Sequence, residues 1–441
     1  MLVMKFGGSS LRNHARIKQV AKIIKSRLDR KPVVVVSAHG DVTDWLIKSA
    51  KNARSGQVEI KKIIHFHRRL AKSLGLSAEP LTYLFTALEK LFEPVRLSHE
   101  LTPQLQDEII SYGERLSCRI VAGYLRQQGI PARAVDAPEI GLLTDSNFGS
   151  AVPLPGIEKK IAVRLKKISR SYCVLSVITG FIGQDLRGHL TTLGRNGSDY
   201  TAAIIGSAIG AKEIQLWSDV DGVMTANPKI VPEAELINRM SFNEAGELAY
   251  YGGRFHPSTL LPAIKKNIPV RILNILTPNT AGTCILKKCS VSGHIKSIVY
   301  KKNLYLINII SSRMLGYAGF LARIFDVFSR HKVVIDMIAS SEVSVSVTTD
   351  RAWHLTRVMN ELSEFAEVHV FKNRAIIGVV GEGIKKDPTA VAGRIFSALE
   401  QNGIRVQMIS QGATLINLTF LVDNEDVAPS VRLLHRIFFN K

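Results

Sequence analysis

Apolar residues fall in short blocks along this chain, and the spacing within each block changes in a way that marks its elements. Residues 3–6 read as a short strand. Across residues 12–30, Ile17, Val20, Ala21, Ile24 and Leu28 recur at helical spacing. Pro32 stops that helix, and residues 33–36 are consecutive valines, as expected of a strand buried on both faces of a parallel sheet. Strand, helix, strand in this order makes a right-handed βαβ unit the default. The alternation returns as a strand over 173–178, a helix over 199–209 and a strand over 214–217, while residues 55–135 read as mostly helical. Helices between buried strands predict an α/β fold of three layers, α/β/α, around a mainly parallel sheet.

Residues 278–293 carry turn formers, cysteines and little periodicity, which places a domain boundary there. Beyond it the chain repeats itself. Arg323, Ile324, Phe325, Met337 and Ile338 recur 71 positions later as Arg394, Ile395, Phe396, Met408 and Ile409. Each copy reads strand, helix, strand, strand, with clear β segments at 344–348 and 415–420. Two copies are too few for a solenoid, so the pattern predicts paired ferredoxin-like βαββαβ modules. The divisions expected are 1–290, 296–372 and 373–441.

Charge changes the picture little. The net charge of +21 is concentrated near the N-terminus and could attract nucleic acid, an anionic membrane or an anionic substrate. No RNA-binding aromatic motif or zinc-finger spacing accompanies it, so nucleic acid is not an expected partner. The basic helix over 12–30 reads as a solvated outer face rather than a membrane-surface element. No apolar run reaches the length of a membrane span. The four cysteines, Cys118, Cys173, Cys284 and Cys289, give no disulfide framework, and the start of the chain leaves no room for a signal peptide, so a cytoplasmic location is expected.

Candidate chemistry lies in two glycine-bearing turns, KFGGSS at 5–10 and TTLGRNGSDYTAA at 191–203. Glycine lets backbone N–H groups approach an anion, and a following helix adds positive potential. Two such turns in one fold suggest two anions held together, hence phosphoryl transfer. The GxxxxGK signature of a P-loop and the HRD and DFG landmarks of protein kinases are missing.

With VVVVSAHGDVTDWL from Val33, SYGERLS from Ser111, GFIG from Gly180, LWSDVDGVMTANP from Leu216 and HPSTLLPA from His256, the chain resembles the aspartate kinases of the amino-acid kinase superfamily. The resemblance covers nearly the whole chain, and the motifs occur in the family's order. It implies transfer of the ATP γ-phosphoryl group to the side-chain carboxylate of L-aspartate, with Mg²⁺ carried by the nucleotide. That is the first step towards lysine, threonine and methionine. A carboxylate with a pKa near 3.9 needs no general base, so catalysis should rest on positioning and positive charge.

By this resemblance Lys5, with Phe6, Gly7 and Gly8, would cradle the transferring phosphate, and Asp199 would orient Lys5. Alternatively, Lys5 is a snorkelling strand-end lysine and Asp199 a helix cap. Arg195 would grip the α-carboxylate of aspartate, assisted by Asn196, Gly197 and Ser198. Glu114 would pair the α-ammonium, unless it caps or pairs at the surface, and Thr43 would bind near the reacting carboxylate. Ser218 and Asp219 would face ATP. Met224, Asn227 and Lys229 depart from the family's usual Tyr, Asp and Arg. GGRFHP at 252–257 is one residue shorter than the usual GAKVLHP, so Arg254 would have to replace a lysine of different reach.

The repeated modules resemble ACT domains, and SSRMLGYAGFLARIF from Ser311 with VVIDMIASSEVSVSV from Val333 resembles the lysine-sensitive, single-function members. Met314, Tyr317, Gly319, Phe320, Leu321, Ile335, Asp336, Ser341 and Glu342 would then form an effector pocket for lysine, with core packing as the alternative for Phe320 and Met314. Homodimers through the ACT modules are also implied. Two readings compete: another member of the superfamily, and a catalytically silent amino-acid sensor. GVVGEG at 378–383 reads as a tight turn rather than a nucleotide loop, and His65 and His67 read as helix-surface residues rather than metal ligands.

Overall fold

A computed structural model describes residues 1–172, 174–251, 257–289, 295–350 and 354–439, with backbone alone at 169–172 and 257–258. It divides into two compact units, Met1–Val223 with Asn238–Phe242 and Arg254–Cys289, and Met224–Ile237 with Asn243–Gly253 and Ser290–Lys441.

The first unit is built on an eight-stranded sheet. Its strand order is Ala132–Val135, Leu175–Thr179, Pro32–Val36, Leu2–Phe6, Glu213–Ser218, Val270–Asn274, Thr283–Leu286 and Arg239–Ser241. Pairing is parallel through the first six, and only Thr283–Leu286 runs antiparallel to Val270–Asn274. The valine run is central and buried throughout, which is why it carries no alternation. One face packs against the helices His14–Lys25, Val42–Ala53, Ile60–Ser73, Thr82–Ser98 and Pro103–Gln127 in a single apolar core. Helices Ile157–Tyr172, Gly197–Ile209 and Pro257–Lys265 pack together on the other. These are the three layers that the sequence predicts.

Gly197–Ile209 lies unusually close to the sheet. A Cβ at Gly206 would come within 2.5 Å of Ile214 Cδ1, so glycine is what permits the approach. The first glycine turn opens at the carboxyl end of the parallel strand Leu2–Phe6, whereas the second follows Leu190–Thr192, which pairs antiparallel with Ile182–Gln184 in a separate two-stranded sheet.

The second unit carries an antiparallel sheet in the order Ile338–Ser340, Ser344–Thr349, Ser297–Ile310, Glu367–Val380, Asn417–Asp423, Met408–Ser410. Its two central strands have 14 residues each, and both bend where Asn303 and Asn373 take positive φ. The bends let each strand serve two cores. Ile307 and Ile309 pack with Phe320, Ile324 and Phe328 of the first repeat, whereas Ile298, Ile377 and Val379 pack with Ile395, Phe420 and Leu434 of the second. The GVVGEG segment ends the strand Glu367–Val380 and enters a 3₁₀ turn at Glu382–Lys386.

Candidate active site

Lys5 occupies the penultimate position of the strand Leu2–Phe6, and the chain turns sharply after it. Gly7 N–H donates to the Trp217 carbonyl at 3.2 Å and Ser10 Oγ donates to the same oxygen at 3.1 Å, fixing the turn to the end of the next strand. A Cβ at Gly8 would meet the carbonyl oxygens of Gly40 and Ala38 at 3.0 and 3.1 Å. A side chain there would push apart the two loops that bound the site. Phe6 is fully buried and stacks on Trp217, so its side chain belongs to the core.

The second turn brings Asp199 to Lys5. Asn196 takes φ +59 and starts the helix Gly197–Ile209, and in its first turn Asp199 Oδ1 lies 2.6 Å from Lys5 Nζ. A cavity of about 550 Å³ opens beside this ion pair. Every residue that the sequence assigns to aspartate lines it: Thr43, Glu114, Arg195, Asn196, Gly197 and Ser198. Arg195 is exposed at its mouth, whereas Ser198 is buried.

Glu114 is the most constrained of these groups. It lies on the long helix Pro103–Gln127, and its Oε1 accepts from Ala38 N–H at 3.0 Å. Its Oε2 is buried without a hydrogen-bond partner. Burial pushes its carboxyl up to about 8, against the opposing pull of the Ala38 N–H, its own backbone and the Lys5 charge. Glu114 is thus a buried carboxyl with one oxygen paired and the other without a partner among the described residues.

Asp107 is a residue that the motifs do not reveal. Two turns before Glu114 on the same helix, it accepts from Gly149 N–H at 2.8 Å, Thr192 N–H at 2.7 Å and Thr192 Oγ1 at 2.9 Å. Burial raises its pKa, and these donors oppose the shift. The effect is to staple the helix to the strand that feeds the Arg195 loop. The only signal in the sequence was its placement two helical turns before Glu114, on the same face of the helix.

The nucleotide-side assignments are less united. Ser218 ends the strand Glu213–Ser218, and Asp219 accepts from Ser9 Oγ at 3.3 Å, so both lie beside the glycine turn. Met224 and Lys229 belong to the second unit, and Arg254 lies outside the described residues. His67 requires a correction. It is fully buried rather than on a helix surface, with its ring centroid 5.6 Å from that of His39, while His65 is exposed. The reason is its phase, for Ile60, Ile63, Ile64, His67, Leu70 and Ala71 form one buried stripe.

In the second unit the effector candidates fall in two segments, residues 314–321 at the start of the helix Phe320–Arg330 and residues 335–342. Gly319 takes φ +94 before that helix, and Tyr317, Leu321, Ser341 and Glu342 are exposed. Phe320 is core, edge-on to Phe365, and Met314 and Ile335 pack partly buried against the same core. Asp336 is already engaged. Lys301 Nζ contacts both its oxygens at 2.8 and 2.9 Å, and the Tyr250 phenol, pushed up by burial and by Asp336, faces it too.

Comparisons with known proteins agree with this geometry. The amino acid kinase family model matches residues 1–274, and the ACT domain model matches 307–364 and 377–438. Aspartokinase 1, chloroplastic, of Arabidopsis thaliana is 39% identical over 99% of this chain and 80% of its own length. Lysine-sensitive aspartokinase 3 of Escherichia coli is 32% identical over 100% of this chain and 99% of its own. The crystal structure of E. coli aspartokinase III with lysine and aspartate superposes with a TM-score of 0.84 at 31% identity, covering all of both chains. The same enzyme with aspartate and ADP gives 0.81 at 30%, again over all of both chains.

Proposed function

The chain belongs to the amino acid kinase family, among its aspartokinases, and from that premise we propose how its residues perform the reaction. The reaction is transfer of the γ-phosphoryl group of ATP to the side-chain carboxylate of L-aspartate, giving 4-phospho-L-aspartate for amino-acid biosynthesis. Residues 1–290 form the catalytic unit in this reading. Residues 296–372 and 373–441 are the ACT modules, the second completed by residues 297–301.

Two anions must be brought together, and the cavity is equipped for that. Lys5, with the Gly8 N–H of the glycine turn, neutralises the transferring phosphate, and Asp199 fixes the direction of the ammonium. Arg195 holds the α-carboxylate of aspartate with its planar fork, helped by Asn196, Gly197 and Ser198. Glu114 pairs the α-ammonium, and Thr43 donates near the reacting carboxylate. That carboxylate is ionised already, so attack needs no base and the barrier falls through alignment and fixed charge. Ser218 and Asp219 face the nucleotide. The Lys5 ammonium and the Gly8 N–H suit phosphate oxygens, and Mg²⁺ carried by those phosphates would further lower their charge.

The observation that carries this reading is the Lys5–Asp199 pair sharing one cavity with a buried Glu114 that keeps a free oxygen. Glu114→Gln is the test. It should raise KM for aspartate by about tenfold or more, as expected when a charge-assisted contact of about 1.5–3 kcal/mol is lost, and leave KM for ATP unchanged. An unchanged aspartate KM would remove Glu114 from that role.

Regulation by lysine is supported by the named sensitivity of the E. coli relative and by two carboxylates, Asp336 and Glu342, in the first ACT module. Exposed Leu315, Tyr317, Leu321, Val334, Ile338 and Val343 on that module support a homodimer formed there. Among the described residues no helix is long and apolar enough to cross a membrane. Buried, unpaired Cys118 and Cys284 agree with a reducing cytoplasm.

A further inference from the structure

His39 has no exposed surface, yet the backbone on either side of it touches the active site. Ala38 N–H donates to Glu114, and Gly40 N–H donates to the carbonyl of Gly8 at 3.0 Å. The side chain between them turns away. Its Nδ1 lies 2.8 Å from the carbonyl of Leu11, the last residue of the short helix Gly8–Leu11 that follows the glycine turn. A carbonyl can only accept, so Nδ1 carries the proton and donates.

The loop is thus held at two points of the same segment. Gly40 docks on Gly8 through the backbone, and His39 docks on Leu11 through its ring. Its other nitrogen, Nε2, is buried without a partner, and so is Nε2 of the adjacent His67, whose own Nδ1 bonds the Ile63 carbonyl at 2.8 Å. Among the described residues the hydrogen bond to Leu11 is therefore the one polar attachment that the His39 side chain makes. An aliphatic residue of similar size would fill the space and lose the attachment.

We propose that His39 is a positioning residue for phosphoryl transfer, tying the loop that holds Glu114 to the turn that holds the phosphate. The proposal rests on the roles given above to Glu114 and to the Lys5–Gly8 turn. If the amino acid hangs on one loop and the phosphate on the other, the distance between nucleophile and phosphorus depends on how rigidly the two are joined. A misplacement of about 1 Å can cost about a hundredfold in rate.

Two variants separate the hydrogen bond from the volume. Asn places its side-chain nitrogen where Nδ1 of His39 lies, while Leu keeps bulk without a donor. Steady-state ADP release with aspartate would be measured beside hydrogen exchange at the Gly40 amide. His39→Leu is expected to lower kcat at least about tenfold, with both KM values within about threefold, and to lose Gly40 protection. His39→Asn is expected to keep kcat within about threefold and to keep the protection. Equal kcat in the two variants, whether both native or both low, overturns the proposal. Should His39→Leu not fold, His39→Gln, which moves the donor to the Nε2 position, takes its place: low kcat at native Tm supports the tether and native kcat overturns it. If the native chain releases no ADP with aspartate, it is the reading of the active site that fails, and Gly40 exchange still decides whether His39 fixes the loop.

Discussion

Asp199 Oδ1 and Lys5 Nζ stand 2.6 Å apart, joining the first turn of one helix to the end of the central strand, with their side chains 6% and 14% exposed. Removing two charges from water is expensive, and losing one partner of such a pair strands the other. Asp199→Asn keeps the shape and removes the charge. It should lower kcat by about a hundredfold, the usual effect of losing one fixed electrostatic contact in a dry site, with a much smaller change in either KM. Steady-state kinetics on a variant with native Tm check this. A native kcat would show that Lys5 needs no partner to act.

Glu114 gives the site a pH signature. With its carboxyl pushed up to about 8, the empty enzyme holds it protonated at pH 7, and an arriving α-ammonium favours the ionised form. Aspartate binding at pH 7 should therefore release up to one proton, and affinity should improve as pH rises towards 8. Calorimetry in buffers of different ionisation enthalpy measures that release, and Glu114→Gln should abolish it. Release that persists in Glu114→Gln would place the titrating group elsewhere. The stability effect has the opposite sense: a raised folded pKa gives stability that is full below the unfolded value near 4.5 and is lost as pH rises through about 8.

The buried imidazoles should make the fold sensitive to acid. Burial is the main cause that lowers His39 to about 3 and His67 to about 4, and His67 lowers His39 further. Both folded values are depressed, so the native state resists protons that the unfolded chain accepts from about pH 6.5 downwards. Stability present above pH 6.5 is then lost as pH falls towards 4, by up to about 1.4 kcal/mol per pH unit for each histidine. Denaturant unfolding at pH 7 and pH 5 tests this. His67→Leu should reduce the loss by about one proton's share, and an unchanged slope would assign the acid sensitivity to other groups.

Much of the candidate site was legible because it is carried by local sequence. Lys5, Gly7 and Gly8 sit in one turn and Arg195 to Asp199 in another, so each group is contiguous and its backbone demands show in its glycines. His67 was misassigned to the helix surface although it falls in phase with the isoleucines of its helix, because a polar side chain discourages a buried assignment. Asp107 could not be read, because its partners at Gly149 and Thr192 lie 42 and 85 residues away. The same holds for the ACT modules. A 71-residue repeat suggests one module after the other, whereas Ile298 and Val379 pack in one core and Ile307 in another, an exchange that only the bends at Asn303 and Asn373 explain.

Asp336 is where the sequence expectation of an open effector carboxylate meets a tethered cation. Lys301 holds both its oxygens and also reaches Asp350 at 3.1 Å, with the Asp336 side chain 4% exposed. Free lysine using Asp336 must compete with Lys301. Lys301→Met should therefore reduce stability by about 3 kcal/mol in the absence of lysine and lower the lysine concentration needed for half-inhibition. Unfolding curves and inhibition curves on the same variant check both. A destabilised variant with unchanged lysine response would show that Asp336 is structural and that the effector relies on other groups.

The most direct test of the whole account is the product itself. The native chain would be incubated with ATP, Mg²⁺ and L-aspartate in hydroxylamine, which traps an acyl phosphate as a hydroxamate, beside Lys5→Met under the same conditions. Hydroxamate should form in proportion to ADP, require both substrates, and fall at least about a hundredfold in Lys5→Met. A folded native chain that makes no hydroxamate from aspartate, or a Lys5→Met variant as active as the native chain, would contradict it.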